Sequence, residues 1–361
     1  MARRADIVIF GTGEFAARIL FDIAATVPED VAVAVIGRDQ ARLDWLRTGA
    51  QARAAMFASG VRVAAYRLDA FAMPAVAGML TALEPRVVAN TASLQGGRKS
   101  NPRPDGWTRL VQEAGLGATA PLQAALSLAI SGAVATAAPR AAFFNCCYPD
   151  VVNPMIAAAG LPIAGGIGNV AILAHAFAGA LGPGQARLRM LAQHAALAAF
   201  RKPADQRSGK APLRLWLGDM EVEDVFTRFA AVKLAPEPVI DVSGASGVPL
   251  FRALVLGQAW TGHAPGPNGL PGGYPVRLAD GRLELDLPAG LGADDAVAWN
   301  EAFEAANGVV VGRDGRVRYT GRVESALRAA SPELAAGFRM AEFPAALDAL
   351  RDLRARLREM G

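Results

Sequence analysis

The chain has 361 residues, 52% of them hydrophobic, and its 37 Lys+Arg against 33 Asp+Glu leave a net charge of +4. A chain of this length buries a large core, in about two domains. A basic excess so small and so evenly spread, without basic runs or interleaved aromatics, argues against nucleic-acid binding. No signal peptide and no uninterrupted apolar run of spanning length is visible, so a cytoplasmic location without membrane contact is expected. The two cysteines are adjacent, Cys146 and Cys147, which suits neither a disulfide framework nor a structural zinc site.

The first element is an apolar run, Ile7-Val8-Ile9-Phe10, that leads into Gly11-Thr12-Gly13-Glu14-Phe15-Ala16. Phe15, Ile19, Leu20 and Ile23 then recur at helical spacing. A G-x-G-x-x-A between strand and helix outlines a dinucleotide site. Gly11 permits the tight turn, Gly13 lets the backbone approach a pyrophosphate, Ala16 keeps helix and strand close, and the free N–H groups of the helix start attract phosphate. Gly11, Thr12, Gly13, Glu14 and Phe15 are therefore the cofactor-binding candidates. The second strand, Val31 to Ile36, ends in Gly37-Arg38-Asp39, where a ribose-binding acid is expected. A cation at that place, Arg38, favours NADP through its 2′-phosphate; Asp39 keeps NAD open.

A helix near Gln40 to Arg53, a strand at Val61 to Tyr66, a helix near Met73 to Leu83 and a strand at Arg86 to Asn90 follow. The last ends in Asn90-Thr91-Ala92-Ser93, small polar residues expected to border the ribose and nicotinamide. Leu94 to Asp105, rich in Gly, Pro and polar residues, carries Arg98, Lys99 and Arg103 and reads as a lid that meets an anionic substrate. Next come helices at Trp107 to Glu113 and Pro121 to Ala137, a fifth strand at Ala141 to Cys147, the stretch Tyr148-Pro149-Asp150 through Asn153-Pro154, a short strand with a Gly-rich exit at Pro162 to Asn169, and an Ala-rich helix containing His175. Gly182-Pro183-Gly184 marks a boundary. This alternation predicts a doubly wound parallel (Rossmann) α/β domain over 1–182 and a second, α+β domain over 183–361.

In the second half, strands are read at Leu213 to Leu217, Val239 to Val242, Pro275 to Leu278 and Arg316 to Thr320. Helices are read at Val248 to Gln258, Asp294 to Asn307 and Pro344 to Met360. Gly262 to Tyr274 reads as an irregular loop that shapes a pocket with His263, Asn268 and Tyr274. Leu347, Leu350, Leu353 and Leu357 form the buried stripe of the last helix, with self-association as the alternative. A homo-oligomer is expected.

In this order of elements the chain resembles the lactate and malate dehydrogenase superfamily, which includes the NAD-dependent glycosidases. The points of resemblance are the Gly-rich first turn, a basic lid after the fourth strand, an Asn–Pro region after the fifth, a Gly-exiting sixth strand, and His194 within Arg189 to Ala195. Gly269 to Leu278 with Gly281 also looks like the strand pair that closes the catalytic domain there, while the Arg38 strand end is similar to NADP-binding domains of the saccharopine dehydrogenase type. The resemblance implies a nicotinamide-dependent oxidoreductase with His194 as its acid. It also implies an Asp and an Arg on the helix after the sixth strand. Ile172 and His175 stand at those places, so the carboxylate that orients the histidine and the arginine that grips the substrate are expected to be missing.

Imidazole is the natural proton donor near neutral pH, which makes His194, His175 and His263 the acid candidates, with Tyr148 and Lys99 as substitutes. The sequence therefore predicts hydride transfer between NADP(H), or NAD(H), and a small C=O or C=N substrate, without a resident metal. A glycosidase-like NAD-dependent enzyme and a non-catalytic NADP(H) sensor are the alternatives.

Overall fold

The computed structural model describes residues 4–96, 104–184, 187–235 and 239–359. The expected lid cations Arg98, Lys99 and Arg103 lie outside the described residues. The first half runs β1 (Ile7–Phe10), α1 (Glu14–Thr26), β2 (Ala32–Gly37), α2 (Gln40–Met56), β3 (Arg62–Arg67), α3 (Met73–Leu83), β4 (Val87–Asn90), α4 (Gly106–Ala114), α5 (Ala120–Ala137), β5 (Ala142–Asn145), α6 (Pro149–Ala158), β6 (Gly165–Gly166) and α7 (Val170–Leu181). The six strands are parallel, in the order β3-β2-β1-β4-β5-β6. Strand order thus reverses between β1 and β4, and open α/β sheets bind ligands beyond the carboxyl ends of their strands at that point.

The central strands β1, β2, β4 and β5 are apolar up to their carboxyl ends because both faces are covered, while the edge strand β3 is half exposed and bounded by Arg62 and Arg67. Ile7 and Ile9 of β1 join a core with Leu20 and Ile23 of α1, whereas Val8 and Phe10 point the other way, to Val76 and Leu80 of α3 and Ile130 of α5. Helix α5 with the turn before it is long and apolar enough to cross a membrane by length and composition, but 67% of it is buried inside the protein. It is a core helix, packed on α3, α6 and the C-terminal helix.

The second half runs β7 (Leu188–Ala192), α8 (Ala196–Arg201), β8 (Leu213–Leu217), β9 (Met220–Glu221), α9 (Val225–Arg228), α10 (Ile240–Ala245), α11 (Val248–Leu256), β10 (Trp260–Pro265), β11 (Gly273–Ala279), β12 (Arg282–Leu285), α12 (Ala293–Asn307), β13 (Val309–Val311), β14 (Arg316–Tyr319), α13 (Gly321–Ala330), α14 (Pro332–Ala335), β15 (Phe338–Arg339) and α15 (Phe343–Glu359). β7 to β12 form an antiparallel sheet ordered β10-β11-β7-β8-β9, with β12 on β11. β13, β14 and β15 form a third. From Val309 onward the chain returns to the first half: Val323, Leu327, Leu350 and Leu353 share one core with Leu110 and Phe143.

Two local readings change and a third holds. The segment read as a strand at Val239 to Val242 is the start of α10, packed on α1; four residues, three of them apolar, are too few for periodicity to tell helix from strand. The Gly–Pro stretch 262–274 is an ordered hairpin, β10 and β11, paired from Trp260↔Leu278 to Pro265↔Gly273. Its prolines sit at strand ends and in the connecting turn, where a lost N–H costs nothing. The leucine stripe of α15 is covered by α4 and α5 of the same chain, so it is a packing face and leaves no surface for self-association.

Candidate active site

At the carboxyl edge of the sheet, β1 hands over to α1 through Gly11-Thr12-Gly13. Gly11 has φ +117°, and a Cβ there would lie 2.2 Å from Thr91 Oγ1, so glycine alone fits. Gly13 is the N-cap of α1 and makes no side-chain cap, and a Cβ on it would meet nothing within 4 Å. The first-turn N–H groups, including those of exposed Glu14 and half-buried Phe15, thus have no side-chain cap at the positive end of the helix, and the space beside Gly13 is open. The Thr12 carbonyl accepts Arg42 Nε at 3.0 Å, which ties the turn to α2. Asp39 caps α2, its Oδ1 accepting from Arg42 N at 3.0 Å. Arg38 is exposed beside it and, among the described residues, has no side-chain partner.

Asn90 ends β4 opposite Asn145 of β5, and both are fully buried. Asn90 Nδ2 donates to Ser127 Oγ at 2.8 Å, Ser127 Oγ to Asn145 Oδ1 at 2.8 Å, Asn145 Nδ2 to Asn153 Oδ1 at 2.9 Å, and Asn153 Nδ2 to the Gly266 carbonyl at 3.0 Å. This chain runs from the central sheet to the β10–β11 turn. Asn90 also bonds the carbonyl and N–H of Ala92, and Thr91 Oγ1 donates to Phe10 O at 2.8 Å. The polar groups expected to reach the cofactor therefore hold the strand exit together, and the surface left open there is that of half-exposed Thr91 and Ala92 rather than the Asn90 amide. Asn145→Leu strands four partners at once and is expected to cost about 3 kcal/mol or more. A urea midpoint shift at constant slope measures it; a loss under about 1 kcal/mol would show that the chain of bonds holds little.

The histidine expected to lack a carboxylate has one. Asp150, fully buried, accepts from His194 N at 2.7 Å and lies 3.1 Å from His194 Nδ1, both through Oδ2. It comes from the first turn of α6, where the helix end favours a negative charge, and not from the helix after the sixth strand, where Ile172 is buried and His175 exposed. The correction could not be read from spacing, because Asp150 and His194 are 44 residues apart. Tyr148, the residue before α6, is in the left-handed region at φ 50°, ψ 55°, a costly conformation for a bulky residue and one common at functional sites. There its ring stands edge-on to His194 at 4.9 Å. With Nδ1 held by Asp150, Nε2 is the nitrogen left for a substrate, and 27% of the His194 side chain is exposed.

Burial alone would lower the His194 pKa, but the bond to Asp150 and the charges of Asp150 and Glu304 overcome it and leave it raised. Glu304, on α12, is 3% exposed and is pushed up to about 7 by burial, with Asp150 adding to the effect and His194 opposing it. Burial keeps the Tyr148 phenol protonated far above neutral pH. The other histidines leave the contest. Burial drives His263 down to about 3, so it is not protonated when a neutral-pH acid is needed, and partial desolvation lowers the exposed His175 as well. Lys99 lies outside the described residues.

Gln193, Asn300, Glu304 and Arg322 belong to this site and were missed by sequence reasoning. Gln193 Nε2 donates to the carbonyl and Oδ1 of Asn300 at 3.1 and 3.2 Å, and Arg322 on α13 is near enough for its charge to act on both His194 and Tyr148. One signal existed: Ala296, Asn300 and Glu304 fall four apart on one stripe of α12, so that a buried stripe carries two polar residues. Among the described residues, no three His, Cys, Asp or Glu side chains converge on a metal position.

No protein-family model and no curated protein matches the sequence. Solved structures do. The chain is similar to Cryptosporidium parvum malate dehydrogenase (TM-score 0.53, 13% identity, 83% of this chain and 96% of that one). It is also similar to malate dehydrogenase from Salinibacter ruber (0.51, 12%, 97% and 99%), and to lactate dehydrogenase from Eimeria maxima with NADH and oxamate (0.51, 13%, 97% and 97%). The chain has the fold of the malate and lactate dehydrogenases, a six-stranded parallel sheet followed by an antiparallel one.

Proposed function

We propose that this chain is a nicotinamide-dependent oxidoreductase that reduces a small C=O or C=N compound, or oxidises the corresponding alcohol or amine, with His194 as its acid–base group. The observation that carries this reading is the His194–Asp150 pair: Asp150 follows β5 at the same sheet edge where the Gly11–Gly13 turn follows β1. The turn fits a dinucleotide, since the first N–H groups of α1 have no side-chain cap and the space beside Gly13 is open. Gly11, Gly13 and the backbone of Glu14 and Phe15 would hold the pyrophosphate, Arg38 the adenosine end, and Thr91 and Ala92 the ribose and nicotinamide side. The cofactor, when bound, supplies or accepts the hydride.

The chain's own residues move the proton. Asp150 fixes the His194 ring and favours its charged form, so that Nε2–H can be delivered to a carbonyl oxygen or imine nitrogen. In the oxidation direction neutral Nε2 takes the proton back. Tyr148 walls one side of the imidazole. A glycosidase-like reaction of this fold would require a metal. The described residues offer no converging ligand set, and burial pushes the Cys147 thiol up to about 12, so it stays a poor donor. An NADH- and NADPH-linked assay over 2-keto acids, keto acid–amine pairs and cyclic imines tests the proposal; a sensor would bind cofactor and turn over none of them.

Cofactor choice follows from the second strand. Asp39 is engaged as a helix cap while Arg38 is free, which favours NADP(H); the NADH in the Eimeria maxima enzyme favours NAD(H) as the second reading. Arg38→Ala is expected to narrow a preference for NADPH over NADH by about ten- to a hundredfold, the worth of one charged phosphate contact. Equal wild-type affinities, read by fluorescence titration, would remove Arg38 from the role.

A further inference from the structure

α12 presents an unusual face to the site. Ala296, Asn300 and Glu304 are one turn apart on a single stripe, and all three are buried. Asn300 fixes that stripe against the segment carrying the catalytic histidine, through its two bonds from Gln193 Nε2. Glu304, one turn further on, is near enough for its charge to act on His194 and Tyr148. Its Oε1 has no hydrogen-bond partner among the described residues, and neither has Asp150 Oδ1. Two buried carboxyl groups, each with an unsatisfied oxygen, thus stand by one imidazole. Tyr148 from the start of α6 and Arg322 from α13 complete the titratable and charged groups that act on it.

A buried carboxylate with one oxygen unsatisfied is costly, and two of them with like charge are costlier. The arrangement is relieved when one of the carboxyl groups carries a proton. We propose that Glu304 is a positioning residue that shares a proton with the His194–Asp150 pair, so that three groups, rather than two, set the charge on the imidazole. This rests on the reading of His194 as the proton-transfer group, and Glu304 reaches the substrate only through it. When Nε2 gives its proton to the substrate the cluster's charge falls by one, and Glu304–OH can pass its own proton to the His194–Asp150 pair so that the negative charge left behind rests on Glu304; in the opposite direction the Glu304 carboxylate receives the proton. Burial, which pushes Glu304 up to about 7, places that exchange near neutral pH.

The test is a histidine-ring NMR titration of the whole chain, without cofactor or substrate. Only three histidines are present, and His175 and His263 serve as internal controls. In the wild-type protein the His194 signals should follow two overlapping ionisations, as coupled groups do. In Glu304→Gln they should follow one, with its midpoint lowered by about one pH unit and the two control histidines unmoved. Glu304→Asp keeps a carboxyl group and should retain the two-step curve. A single, unshifted His194 curve in both wild type and Glu304→Gln would overturn the proposal. If Glu304→Gln does not fold, the wild-type curve decides: two steps support the proposal and one step overturns it. Because no turnover is measured, absence of dehydrogenase activity would count against the proposed function and leave this result standing.

Discussion

His194→Gln is expected to lower turnover by about a hundredfold or more while fold and cofactor affinity stay near wild type, the usual worth of a positioned general acid. Glutamine keeps a hydrogen-bonding side chain in the gap but cannot deliver a proton. Asp150→Asn should lose a comparable factor, because the amide neither fixes the Nδ1–H tautomer nor favours the imidazolium. The sign of the pH dependence follows. His194 is raised above its ordinary value, net of burial, by Asp150 and Glu304. Reduction, which needs Nε2–H, should therefore persist to higher pH than an ordinary imidazole would allow and fall as pH rises through the raised value, while oxidation should gain over the same span. Steady-state rates in both directions check this. Near-normal turnover in His194→Gln would move proton delivery to another group or to water, and loss of folding would mark His194 as a packing residue.

Gly11→Ala is the second large effect. Its methyl group would be forced to within 2.2 Å of Thr91 Oγ1, at a φ of +117° that no L side chain adopts comfortably. Relief requires breaking the Thr91 hydroxyl bond to Phe10 O and moving the β1 turn away from the β4 exit. The expected cost is about 2–4 kcal/mol of stability and at least a tenfold loss of dinucleotide affinity, because the same turn aims the α1 N–H groups. Urea unfolding and cofactor titration of the same preparation separate the two. Gly13→Ala is the useful contrast: it has room for a methyl group and an ordinary φ of −71°, so it should spare stability and affect the cofactor alone.

Periodicity and glycine chemistry made the parallel sheet legible. The apolar runs that became β1, β2, β4 and β5 could not belong to a half-exposed sheet, and Gly11 and Gly13 fell where strand meets helix. His194 was legible only through a resemblance of arrangement. What surrounds it was not, since Asp150 comes from α6, Gln193 from beside His194, Glu304 from α12 and Arg322 from α13. Such convergence is set by tertiary packing and leaves no local pattern beyond the polar residues on the buried stripe of α12. The Asn90–Ser127–Asn145–Asn153 chain was missed for a related reason: a small polar residue at a strand exit, such as Asn90, looks the same in sequence whether its amide meets a ligand or another buried polar group. Alternation of turn-forming residues also concealed the β10–β11 hairpin, because Pro265 and Pro267 suggest irregular backbone when read without the pairing partner.

The central claim is that the Gly11–Gly13 turn holds a nicotinamide dinucleotide beside the His194–Asp150 pair. The most direct measurement is a fluorescence titration of the wild-type chain with NADPH and with NADH, repeated on Gly11→Ala. Saturable one-to-one binding of at least one of them, weakened tenfold or more in the variant, is the expected result. No saturation with either cofactor up to millimolar concentration, or equal binding by wild type and Gly11→Ala, would contradict it.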